Sequence, residues 1–97
     1  MTARPKVVVT RKLPDAVEAR MQELFEVTLN ASDVPFTREQ LADSLSIADV
    51  LVPTVTDKID GALIAGSGPQ LRLISHYGTG VENLDVEAAT ARDITVT

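Results

Sequence analysis

Five short apolar runs recur along this chain at intervals of about 20 residues, with helix-like segments between them. "KVVVT" (Lys6 to Thr10), "FEVTL" (Phe25 to Leu29), "DVLVP" (Asp49 to Pro53), "LRLIS" (Leu71 to Ser75) and "ITVT" (Ile94 to Thr97) are each the length of a strand buried on both faces. Such an alternation of apolar strands and crossover helices predicts βαβαβαβαβ order and a parallel α/β sheet covered on both sides. A layer of this kind normally closes with a helix, whereas the last run here is a strand. One face of the sheet is therefore expected to be left partly uncovered.

Local signals place the helices. Pro14 suits the first turn of a helix whose Leu13, Val17, Met21 and Leu24 recur at helical spacing. Thr37 followed by Gln40 spells a capping box, and Leu41 and Leu45 give that helix an apolar stripe. Thr56, Asp57 and Asp60 are candidate caps for a third helix carrying Leu63 and Ile64 inward. Gly66 and Gly68 are expected to end it in left-handed angles. Asp85 caps "VEAATAR". Pro53, with no amide to offer a ladder, should stop the third strand.

The 97 residues are enough for one domain, 1–97, with one core. Aromatic residues are only 3% of the chain, so the core must come from Val, Ile, Leu and Ala. A net charge of −5 with no basic stripe argues against nucleic acid and anionic membrane as partners. Without cysteine there is no disulfide, thiolate nucleophile or Cys-ligated zinc, which fits a reducing compartment. No segment has the apolar length of a signal peptide core or a membrane span, so the protein reads as soluble and cytoplasmic.

The chemistry concentrates in "SHYGTGVENLD", residues 75 to 85. A dinucleotide loop needs three glycines, the third for close packing of helix on strand. Gly78 and Gly80 are present, but Asn83 occupies the third place, where its side chain would stand between strand and helix. The fingerprint also wants an acidic residue about 20 positions further on, after a second strand, and the chain ends before that strand is complete. A small anion fits better, because glycines let successive amides turn toward one carboxylate. The loop also follows the carboxyl end of a parallel strand, where open α/β sheets place ligands. The plain alternative is a turn that needs glycine only for its angles. His76 precedes the loop and has the near-neutral chemistry of a general base. A base requires a positioned partner, none is visible nearby, and a supporting or structural role is the stronger expectation.

Three blocks of this sequence resemble one family. Leu71 to Thr97, Ala48 to Asp60 and Thr10 to Asn30 are similar to the N-terminal substrate-domain segment of the D-isomer-specific 2-hydroxyacid dehydrogenases, in the glyoxylate/hydroxypyruvate reductase (D-glycerate dehydrogenase) branch. The resemblance implies a flavodoxin-like substrate domain, packed in the family against a separate NAD(P)-binding Rossmann domain that this chain does not include. It implies that the amides of Thr79 and Gly80, after Gly78, hold the carboxylate of a 2-keto acid, and that Pro53 and Thr54 line the same cleft. The family's dinucleotide fingerprint, its catalytic Arg, Glu and His, and a helix returning to close the substrate domain all lie further along than Thr97. The chain is thus expected to be a fragment or truncated product of an enzyme that reduces glyoxylate or hydroxypyruvate with NAD or NADP chemistry. Alone it should bind no cofactor and be catalytically silent, and its uncovered face should drive a dimer or larger assembly. His76 stands where relatives often have Asn, and Asp93 where Gly is common, at a turn that wants left-handed tolerance. The alternative from another class is a stand-alone flavodoxin-like module that binds small acids or regulates. A phosphoacceptor version of it is disfavoured, because Thr10-Arg11-Lys12 and Pro53-Thr54 occupy the places where acidic residues would be needed.

Overall fold

A computed structural model describes residues 4–77 and 83–97. Nine elements follow one another: β1 (Lys6–Val9), α1 (Asp15–Leu24), β2 (Glu26–Thr28), α2 (Arg38–Ile47), β3 (Val50–Val52), α3 (Gly61–Ala65), β4 (Leu73–Ile74), α4 (Val86–Ala91) and β5 (Thr95–Val96). The strands form one sheet in the order β2-β1-β3-β4-β5, and every pairing is parallel. This is the flavodoxin-like order, with the direction of winding reversing between β1 and β3. Each strand is shorter than its apolar run, because pairing stops where the chain turns into a loop.

Alternation along the strands separates two cores. Val8, Leu51 and Ile74 point to one face and pack with Leu41 and Leu45 of α2, Leu63 and Ile64 of α3, and Ala89 of α4. Val7, Val9 and Val52 point to the other and meet Leu13, Met21 and Phe25 at α1. Three helices therefore cover one face and one helix covers the other. That single cover leaves a groove of about 340 Å³ lined by Val7, Met21, Phe25, Val50, Val52 and Leu73. No described helix is long and apolar enough to cross a membrane.

The caps are partly as the sequence predicts. Thr37 accepts from the Gln40 amide at 3.1 Å while the Gln40 side chain accepts from the Thr37 amide at 2.8 Å, completing the box. Asp85 caps α4 through the Ala88 amide. Of the three candidates at α3, only Asp60 caps it, accepting from the Leu63 amide. Asp57 is a correction: it is 1% exposed and turned into the protein. Thr56 is another, its hydroxyl engaged with Arg11 and Thr54.

Further corrections concern backbone and exposure. Pro14 sits at the N-cap, one residue before α1, with extended ψ 142°. Val17 and Leu24 are 37% and 47% exposed, so only part of the α1 stripe faces inward. Gly66 does not take left-handed angles: φ is −87° and ψ 1°. Gly68 is required for space instead, since a Cβ there would lie 2.5 Å from the Ser46 carbonyl oxygen. Left-handed geometry falls on Asp33 and Asp93, at φ 57° and 60°, the second at a turn where the family resemblance implied a need for it.

Candidate functional site

The carboxyl ends of β1, β3 and β4 meet at one edge of the sheet, the edge that binds ligands in open parallel folds. Pro53 lies immediately after β3 and is fully buried. Its carbonyl accepts from the Tyr77 amide at 2.8 Å, and Thr54 makes an isolated parallel bridge with Tyr77. The β3 and β4 ladders thus run on past the strands and bring Thr54 beside Tyr77. The glycine turn that follows, with Gly78, Thr79 and Gly80, lies outside the described residues.

Side chains hold the Thr54 backbone from both sides. Its amide donates to Asp57 Oδ2 at 2.9 Å, and its carbonyl accepts from Asn83 Nδ2 at 3.0 Å. Thr10, the residue after β1, donates its hydroxyl to the same Asp57 oxygen. One carboxylate thereby joins the ends of β1 and β3, and burial away from water strengthens both bonds. Asp57 Oδ1 is buried and has no partner among the described residues.

Asn83 reaches further. Its Nδ2 also donates to the Asp57 carbonyl at 2.6 Å, while its Oδ1 lies 3.1 Å from His76 Nε2. Its own carbonyl accepts from the Ile59 amide at 2.9 Å. The partner that sequence reasoning could not find for His76 is therefore Asn83, seven residues on. It is an amide rather than a carboxylate, so it orients the ring and cannot take its proton as a base.

Arg11 adds positive charge to the rim. Its Nη1 donates to Thr56 Oγ1 at 2.9 Å, and Thr56 Oγ1 lies 3.0 Å from Thr54 Oγ1. Its Nε pairs with Asp33 Oδ1 at 2.9 Å. That guanidinium, helped by the Lys12 amide, holds the Asp33 carboxyl below its usual range. Asn30 ties the same corner, donating to the Thr10 and Val34 carbonyls at 2.8 and 2.7 Å.

Of the predicted site residues, Pro53 and Thr54 are thus at the carboxyl edge, together with His76. Arg11, Asp57 and Asn83 were not singled out from sequence as site residues. The one signal for Asp57 was the crowding of Thr56, Asp57 and Asp60 before a five-residue helix, which cannot use three caps. The described edge presents the Thr54 and Thr56 hydroxyls beside the Arg11 guanidinium, its Thr54, Tyr77 and Asn83 amides being already paired within the protein. Among the described residues there is no group of three or more metal-ligating side chains.

An open parallel sheet of order β2-β1-β3-β4-β5 with helices on both faces defines a flavodoxin-like α/β domain. The family profile described as D-isomer specific 2-hydroxyacid dehydrogenase, catalytic domain, matches residues 7–97, and the chain belongs to that family. It is 40% identical over 96 residues to a glyoxylate reductase of Thermofilum pendens, covering 98% of this chain and 28% of the relative. It is 35% identical over 94 residues to a glyoxylate reductase of Korarchaeum cryptofilum, covering 97% and 28%. Among solved structures, a protein from Polaromonas sp. JS6 66 assigned to the same family, NAD-binding, superposes with a TM-score of 0.90 at 28% identity, over 96% of this chain and 29% of that one. The NAD+-bound 3-phosphoglycerate dehydrogenase of Entamoeba histolytica superposes with a TM-score of 0.77 at 27% identity, over 97% and 32%. The chain therefore spans less than a third of the length of these relatives.

Proposed function

We propose that this chain is the substrate-binding segment of an oxidoreductase that reduces a small 2-keto acid, such as glyoxylate or hydroxypyruvate, to the D-2-hydroxy acid. The observation that carries this reading is the Thr54 edge, held rigidly beside Tyr77 where the chain enters "GTG". Neutral donors on a fixed backbone bind a carboxylate without an opposing charge to desolvate. In this reading the Thr79 and Gly80 amides take the carboxylate, Gly78 gives the turn its freedom, and Pro53 and Thr54 wall the cleft.

The residues present do not fit a nicotinamide dinucleotide. Asn83 stands where a fingerprint needs its third glycine, and its side chain is committed to Thr54, Asp57 and His76. NAD or NADP therefore belongs to another part of the enzyme, and the 97 residues alone carry neither cofactor nor turnover. Hydride transfer needs the keto carbon held against that cofactor, which takes both parts. A cytoplasmic setting and assembly into a dimer or larger oligomer complete the proposal.

Expression of this chain together with a dinucleotide-binding part tests the reading. Reduction of glyoxylate or hydroxypyruvate by the longer protein, and none by the 97-residue chain, is the expected result. In the longer protein Thr79→Pro deletes one amide donor to a charged ligand. Loss of about 1.5–3 kcal/mol lowers kcat/KM for the keto acid roughly ten- to a hundredfold. Unchanged kinetics in a folded Thr79→Pro variant removes that residue from the site.

A further inference from the structure

Asn83 is bound on every side, and its partners decide which way its amide faces. Two carbonyl oxygens, of Thr54 at 3.0 Å and Asp57 at 2.6 Å, meet one end of that amide. Carbonyl oxygens only accept, so this end must be the NH2 group; the flipped amide would set oxygen against two oxygens. The amide oxygen then faces His76 Nε2 at 3.1 Å. An amide oxygen only accepts, so Nε2 carries a proton. The neutral ring is held as the Nε2–H tautomer, with the Nδ1 lone pair turned inward, where that atom is buried without a partner among the described residues.

The same amide fixes Thr54. Thr54 gives its N–H to Asp57 and its carbonyl to Asn83, so its two main-chain groups are held by side chains rather than by a strand ladder. Asp57 is itself locked to Thr10 at the end of β1. Asn83 is anchored in turn through its carbonyl to Ile59. Asp57 joins the ends of β1 and β3, and Asn83 ties that pair to His76 after β4.

We infer that Asn83 is a positioning residue: it sets the Thr54 peptide at the carboxyl edge and locks His76 in the Nε2–H form, so that this wall of the site is fixed before a ligand arrives. The inference rests on the reading of that edge as a 2-keto acid site. A wall fixed in advance spares the bound acid the cost of ordering it. Loss of the lock therefore weakens use of the keto acid and leaves the dinucleotide untouched.

Two measurements test this separately. The chain has one histidine, so 15N labelling of histidine in the 97-residue protein reads His76 alone. At about pH 8, above the ordinary imidazole pKa, Nε2 should show the protonated and Nδ1 the unprotonated signature. Asn83→Ala should move both toward free histidine in water. A wild-type ring with the proton on Nδ1 overturns the lock. The second measurement uses the longer enzyme and Asn83→Asp, which keeps the size and the acceptor facing His76 but cannot donate to Thr54 or Asp57. KM for the keto acid should rise roughly five- to tenfold, the equivalent of one or two hydrogen bonds, with KM for the dinucleotide unmoved. An unchanged keto-acid KM in folded Asn83→Asp overturns the positioning role. A longer enzyme that reduces no 2-keto acid defeats the functional reading instead, and the nitrogen spectrum still decides the tautomer.

Discussion

Thr10, Asp57 and Thr54 show how one buried carboxylate organises the carboxyl edge. Asp57 Oδ2 takes the Thr10 hydroxyl and the Thr54 amide, with Thr10 and Asp57 both buried. Thr10→Val keeps the volume and removes the hydroxyl, leaving a buried carboxylate with one charge-assisted bond fewer. The expected cost is about 1.5–3 kcal/mol, read as a lower urea midpoint with an unchanged m-value, and Thr10→Ser should recover most of it. A Thr10→Val protein as stable as the parent would show that the Thr10–Asp57 bond adds nothing to stability. Gly68 and Asp93 make a contrast at the same scale. The glycine is needed for room beside Ser46, whereas Asp93 occupies the left-handed angles, helped by a short polar side chain.

Among the elements, α3 most needs its neighbours. Five residues cannot sustain a helix in water, because nucleation costs more than so few hydrogen bonds return. Asp60 both caps α3 and receives Arg38 from the start of α2 through two bonds, of 2.9 and 3.0 Å. The Arg38 guanidinium first, and then the Leu63 amide, lower the Asp60 pKa from 3.8 to about 2. Since the folded value lies below the ordinary one, this stabilisation is complete above about pH 4 and is lost as pH falls through about 2. Asp60→Asn should therefore flatten part of the acid limb of a Tm-against-pH curve followed by circular dichroism. Both side chains are partly exposed, so salt should weaken the effect. An acid limb identical in Asp60→Asn would show that the pair does not couple the two helices.

At the scale of the molecule, the sheet is unequally covered. Helices α2, α3 and α4 bury one face, while α1 alone lies on the other, beside the groove where Val50 and Leu73 are only half-buried. Apolar surface of this kind promotes association, and a 97-residue domain has a thin margin of stability to spare. Light scattering of the isolated chain should show a mass that rises with concentration, and Leu73→Glu, placed in the groove, should lower it. A clean monomer at high concentration would refute the idea that this face drives self-association.

The sequence by itself determined the parallel sheet, its elements in order and the Thr37 box. These depend on neighbours within a few residues, or on a period that repeats along the chain, and both can be read from a string. It also carried the family, through three blocks in the right order. What only the tertiary structure decided was which polar side chain turned inward. Thr56, Asp57 and Asp60 are equivalent as helix caps in the string. Asp57 is drawn into the protein by Thr10, 47 residues earlier, and Asn83 by carbonyls 26 and 29 residues earlier. A buried hydrogen bond exists only where folding brings a donor and an acceptor within about 3 Å, and no local pattern announces a partner that distant.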